Sequence, residues 1–167
     1  KKADNMNRAL VPLAGVCVAI YCTVAGAQQL PKSGAFTVES GWKAIGEMFQ
    51  VSQGRTYGSG NLWGVLFNAK GLGPFHWGSG VCPYTLKVID GTLTANGECA
   101  WNDSDGDKIF TDWTGSMPPN APFDGSHKIT GGTGKFSGIT GKAQFHCKAL
   151  STSGQYACVQ EFHYRLE

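Results

Sequence analysis

The sequence predicts an all-β domain of short antiparallel strands, closed into a barrel or stacked as a sandwich. Three observations predict it. From Ser33 onward, runs rich in Val, Thr, Phe, Tyr and Trp alternate with turn signals. No window in that stretch shows a helical period. Glycine is plentiful, 24 in 167 residues, while only 16% of residues are charged. The first count argues against a helical bundle and the second against a disordered chain. With 41% hydrophobic residues the chain has material for one domain with a real core.

The elements follow in order. Ala35–Ile45 is the first candidate strand, and Glu47–Ser52 resumes it after Gly46. Gln53-Gly54 turns the chain into Thr56–Asn68, and Ala69-Lys70-Gly71 precedes Phe75–Ile89. Asp90-Gly91 leads into Thr92–Asn102, and Asp103 to Asp107 leads into Lys108–Gly115. A Met117–Pro122 loop precedes Gly125–Thr130, Gly131 to Gly134 precedes Gly138–Ala149, and Ser151 to Gly154 precedes Gln155–Arg165. β-Branched and aromatic residues suit a pleated surface, and Gly, Asp and Pro supply the turns between. Eight or nine such strands suit a barrel or a sandwich, and closure also removes exposed edges.

Two hairpins carry a register. Asp90-Gly91 favours a two-residue type I′ turn, because both central positions need positive φ. Ile89 then faces Thr92, Leu86 faces Ala95, Tyr84 faces Gly97 and Cys82 faces Cys99. One face of this pair is apolar and the other polar, whereas a slip of one residue mixes them. Cys82 and Cys99 fall at a non-hydrogen-bonded pair, where Cα atoms approach to about 4.5 Å, within disulfide range. Pro83 would occupy a hydrogen-bonded position without an N–H, which predicts a bulge or an edge there. In the last hairpin a four-residue loop, Ser151 to Gly154, pairs Leu150 with Gln155. Cys147 then faces Cys158, Phe145 faces Gln160 and Ala143 faces Phe162. Of the six cysteines, the four outside residues 1–27 allow three connectivities; the registers select Cys82–Cys99 and Cys147–Cys158. Each bond contributes about 2–3 kcal/mol. No Cys-x-x-Cys or paired-His spacing suggests zinc instead.

Residues 1–27 read as a leader. Lys1, Lys2 and Arg8 precede an apolar run from Ala9 to Gly26, and Ala25-Gly26-Ala27 has the small-x-small form of a cleavage site. This is the pattern of a signal-peptide helix; the alternative is an uncleaved anchor, short for a bilayer and holding Pro12. Export predicts a secreted or periplasmic protein with no stable membrane anchor after cleavage, and it fits disulfides. The leader holds three of the 14 basic and one of the 12 acidic residues. The domain at 28–167 is therefore formally neutral, which argues against nucleic acid as a partner.

Several motifs invite chemistry. Gly131 to Gly138 is no phosphate loop, since Lys135 precedes Phe136 and strand signal follows; the reading is a turn-rich connection with Phe136 as a hydrophobic plug. Asp103, Asp105 and Asp107 alternate as calcium ligands can, but the glycine is misplaced and no terminal Glu follows. The alternative is an acidic hairpin tip. Strand parity puts His146 and His163 on the polar face. If the Cys82–Cys99 register continued, His76 would fall near Asp103 and Asp105, where a His beside a carboxylate can do acid–base work. The five tryptophans are core volume, or the wall of an apolar ligand cavity.

The stretch Gly131-Gly132-Thr133-Gly134-Lys135-Phe136-Ser137-Gly138-Ile139-Thr140-Gly141, followed by a strand, resembles the corresponding stretch of allene oxide cyclase and dirigent barrels. It is still more similar to exported bacterial proteins of unassigned function that themselves resemble that superfamily and tend to pair the stretch with an upstream Asp-x-Asp-Gly-Asp hairpin, here Asp103 to Asp107. The resemblance covers the C-terminal part of the chain, and the rest by strand count. It implies a single antiparallel eight-stranded β-barrel, calycin-like or allene oxide cyclase-like, with an apolar interior. Plant allene oxide cyclases isomerise an epoxy fatty acid inside the barrel, and dirigent proteins steer the coupling of phenoxy radicals. No functional residue of either maps onto a motif of this sequence.

Three functional expectations result. The first is an exported, disulfide-stapled barrel that binds a small, largely apolar molecule or acts as a scaffold, lined by Trp42, Tyr84, Trp101, Phe145 and Phe162. The second is a cyclase or isomerase acting on a hydrophobic substrate, with His76 and Asp105 as acid–base partners and Tyr84 as a donor. The third is a structural module of the cell envelope. No cofactor is implied. A cavity of about 300 Å³ or more with convergent polar groups separates the first two from the third.

Overall fold

The computed structural model describes residues 30–167. The expected leader, with Cys17 and Cys22, lies outside the described residues. The strands are β1 (Ser33–Ser52), β2 (Arg55–Asn68), β3 (Gly78–Ile89), β4 (Thr92–Asn102), β5 (Lys108–Met117), β6 (Phe123–Gly132), β7 (Ile139–Ser151) and β8 (Gln155–Leu166). Each pairs antiparallel with the next, and β8 returns to β1, closing an eight-stranded barrel. Closure resolves the choice between barrel and sandwich. The two expected strands on either side of Gly46 are one strand, because Gly46 pairs with Gly60 and the register runs through unbroken.

Alternation sets which way each side chain points. Phe36, Val38, Trp42, Leu66, Trp101, Ile109, Phe145 and Phe162 are buried and point inward. The predicted β3–β4 register holds, from Ile89↔Thr92 through Tyr84↔Gly97 to Ser79↔Asn102. Both disulfides form as the registers require, with Cα atoms 4.1 Å apart in each. Three expectations need correction. At Pro83 there is neither bulge nor edge: the ladder lapses and resumes in the same register at Val81↔Ala100, while β2 pairs on the other side at Asn61↔Pro83. Pro83 lacks the N–H that the missing rung needs. In the last hairpin Ser151, not Leu150, pairs with Gln155, and the register shifts between Ala149 and Ser151. Leu150 is therefore extruded and 62% exposed. Finally, β3 begins at Gly78 rather than Phe75. Phe75 and Trp77 both hold positive φ, 62° and 60°, so the chain turns there and the register cannot continue to His76.

The two ends of the barrel differ. At the end carrying residues 69–77, 103–107 and 133–138, the interior is sealed. Phe75 and Phe136, both fully buried, stack with ring centroids 5.5 Å apart. Phe36 and Phe162 stack above them at 4.9 Å. Phe136 is the plug that the sequence suggests, held by a short 3-10 turn, Gly134–Phe136. At the opposite end the inward residues Leu62, Leu86, Leu93, Phe123 and Tyr156 are only half-buried. The β1–β2 hairpin runs past the barrel at that end, since β1 pairs with β8 only as far as Lys43. Ile45, Met48, Phe49 and Val51 on this extension are each more than half exposed.

Candidate functional site

The half-buried end opens into a cavity. Its wall comes from every strand and includes Trp42, Tyr84, Trp101, Trp113, His127 and Phe145, together with all four disulfide cysteines. The volume is about 80 Å³. That falls short of the roughly 300 Å³ expected of a barrel that encloses its ligand, so the size criterion is not met and the space can take only part of a drug-sized molecule. A single water needs about 10–15 Å³ on the same measure, so the space suits on the order of six non-hydrogen atoms. A larger depression of about 420 Å³ lies on the outer wall beside Trp63, Val65 and Leu150. It is open, and its polar side chains Lys43 and Gln155 lie among exposed apolar ones on an outer face, so the more enclosed interior cavity is the better site.

Glycines make the room in which the large side chains lie. A Cβ on Gly64 or Gly80 would meet the Trp42 ring at 2.5 or 2.4 Å. One on Gly125 would meet the Phe145 ring at 2.3 Å, and one on Gly97 would come within 3.0 Å of the Trp113 indole nitrogen. Large and small residues alternate across the interior, as a small barrel requires.

Two polar chains cross the apolar interior. The Trp42 indole N–H donates to Ser40 Oγ at 2.7 Å, and Ser40 Oγ lies 3.0 Å from Gln160 Oε1. The Trp101 indole N–H donates to Thr111 Oγ1 at 2.9 Å, which lies 3.0 Å from His127 Nδ1. Burial lowers the His127 pKa to about 3, because the charged imidazolium loses its hydration. The Trp113 Nε1–H is buried without a partner among the described residues. At the rim, burial and the neighbouring Tyr156 raise the Tyr84 pKa.

Four of the expected lining residues, Trp42, Tyr84, Trp101 and Phe145, surround this cavity. Phe162 points inward but lies in the packed aromatic layer, against Phe36, Phe75 and Trp101. His76 and Asp105 are at the sealed end and form no ion pair with each other. His76 packs beside Phe67 and Trp77. Asp105 meets Lys135 Nζ at 2.5 Å, which holds its carboxyl below the usual range. Lys135 also pairs with buried Asp103. Burial opposes its charge, but the two carboxylates raise its pKa.

The three alternating carboxylates are thus engaged by the protein. Asp103 Oδ1 accepts the Phe75 and Ser104 N–H groups at 2.9 Å. Asp107 Oδ2 accepts the Lys135 N–H at 2.9 Å. This is the acidic hairpin tip, fastened to the glycine-rich connection. Among the described residues no cluster of three His, Cys, Asp or Glu side chains is arranged to hold a metal ion. His146 is exposed as expected and pairs with Asp124 at 2.6 Å. His127 was the residue without a forecast role. Its signal is parity: Gly125, His127 and Ile129 share one face, while Ser126, Lys128 and Thr130 share the other.

Fold and site together define a small closed antiparallel barrel with an apolar, donor-bearing cavity at one end. No protein-family model matches the chain, and no curated protein matches it either.

Proposed function

We propose that the protein is an exported barrel that binds one end of a small, largely apolar molecule in this cavity. One observation carries the reading: an apolar chamber, open at one end, with an unpartnered indole N–H buried in its wall. A filled structural module gains nothing from leaving such a donor unpaired, which costs about 1–3 kcal/mol. The resemblance to allene oxide cyclase and dirigent barrels supports the same use of the interior. Binding is favoured over the cyclase reading because the acid–base pair it invoked, His76 and Asp105, is remote from the chamber. The small volume means that the ligand is gripped by a ring or short chain, and its remainder stays at the rim among Leu86, Leu93, Phe123 and Tyr156.

Titration with methylenecyclohexane, followed by methyl NMR, tests the proposal. Saturable shifts are expected at Met117, Leu86 and Leu93, with none at Ile45 on the outer hairpin. Unmoved cavity methyls up to the solubility limit would rule the binding site out.

A further inference from the structure

The hydrogen-bond order in the cavity wall specifies what the buried end of the ligand carries; this rests on the chamber being a binding site. Thr111 is 1% exposed, and its hydroxyl has one proton to give. It already accepts from the Trp101 indole at 2.9 Å. The neighbour left to receive its proton is His127 Nδ1 at 3.0 Å. The opposite tautomer, with the proton on Nδ1, would make Thr111 accept twice and strand its own proton in an apolar interior. The imidazole therefore carries its proton on Nε2. Burial keeps the ring neutral down to about pH 3, so Nε2–H is a donor without charge.

That donor has no protein acceptor among the described residues, and His127 lines the chamber. The Trp113 Nε1–H beside it is a second donor without a partner; the two rings lie 6.5 Å apart. The wall's own side-chain acceptors do not answer them: the Gln160 oxygen already receives Ser40, and the Tyr84 and Tyr156 hydroxyls at the rim bond neither donor. The lining contains no Lys, Arg, Asp or Glu. An anion entering would lose its hydration with no counter-charge to replace it. A neutral acceptor loses far less and satisfies both donors.

We propose that the ligand is a neutral molecule with a carbonyl-class oxygen at its buried end, accepting from His127 Nε2–H with Trp113 Nε1–H as the second donor. Aldehydes, ketones and esters on an apolar skeleton form the class. The wall offers an alkene nothing beyond apolar contact, and it offers a carboxylate the wrong electrostatics.

Cyclohexanone and methylenecyclohexane have the same shape and differ in C=O against C=CH2. In the intact protein, ¹⁵N NMR of the His127 ring is expected to show the Nε2-protonated form before any ligand is added. Cyclohexanone is expected to move the His127 Nε2–H and Trp113 indole proton resonances downfield; methylenecyclohexane is not. The affinity ratio of ketone to alkene is expected to fall about tenfold or more in His127→Phe, and by a smaller factor in Trp113→Phe. Alkene binding with no ketone-specific shift, or a ratio unchanged in both variants, overturns the ligand class and leaves the binding site standing. Failure of both molecules to bind overturns the site and the class together. If His127→Phe does not fold, the proton shifts in the unaltered protein decide the question.

Discussion

His127 stands on an inward position of β6, between Trp101, Phe145 and Phe162, with ring centroids 5.1, 5.2 and 6.5 Å away. Its chemistry is set by that company. The buried ring stays neutral to about pH 3, whereas an unfolded chain takes up the proton near pH 6.5. Between those values the unfolded state binds more protons, so stability falls as the pH falls. The contribution is fully present above about pH 6.5 and is lost progressively toward pH 3. A single group in this position gives a slope of about 1.4 kcal/mol per pH unit. Urea midpoints measured from pH 7 to pH 4 are expected to show this decline, and His127→Phe is expected to flatten it. An unchanged slope in the variant would mean that other groups carry the acid sensitivity. Lys135 shows the reverse case, a cation kept charged by Asp103 and Asp105 while it ties the sealed end together.

Strands here do more than alternate inside with outside. β2 and β3 place Gly64 and Gly80 opposite each other, and the Trp42 indole lies across both. β5 and β6 place Gly115 opposite Gly125, beneath the Phe145 ring. A strand glycine costs conformational entropy and loses packing of its own, but in these positions it makes space for a neighbour's ring. Gly80→Ala is expected to push Trp42 off its seat and off Ser40, at a cost of about 1–3 kcal/mol. Chemical denaturation together with Trp42 fluorescence checks this. The hairpin ends show how small departures arise at element boundaries. The β7–β8 turn extrudes Leu150 and pairs Ser151 with Gln155, yet Cys147 still meets Cys158, because the shift is confined to the turn.

For the molecule as a whole, the placing of the two disulfides matters. One joins β3 to β4 and the other β7 to β8, so in the ring of eight strands they staple opposite walls of the cavity. Replacing either pair by alanines is expected to cost about 3 kcal/mol. The two losses should add to within about 0.5 kcal/mol, because each bond closes its own hairpin. Denaturant titrations of the single-bond and double-bond variants test this. Strong non-additivity would mean that the walls are coupled through the chamber. The sealed end relies on aromatic stacking and on the Asp103–Lys135 pairing, and the open end relies on these covalent ties.

Strand positions, the faces of both hairpins and the cysteine partners were legible in the residue order. Period-two alternation is local, and a dipeptide such as Asp90-Gly91 admits few turns. The plug role of Phe136 was legible for the same reason, as a lone aromatic among glycines. Which residues meet across the interior was not. Those meetings depend on strand tilt and stagger, and these exist only once β8 has joined β1. The seats for Trp42 and Phe145, the unpaired Trp113 N–H and the Thr111–His127 contact all belong to that geometry. So does the fate of His76: Asp103 captures the Phe75 N–H, the chain turns at positive φ, and a histidine aligned on paper with a carboxylate is set beside Phe67 and Trp77 instead. Alternation assigns a side chain to a face, but closure brings faces from distant strands together and leaves one end open.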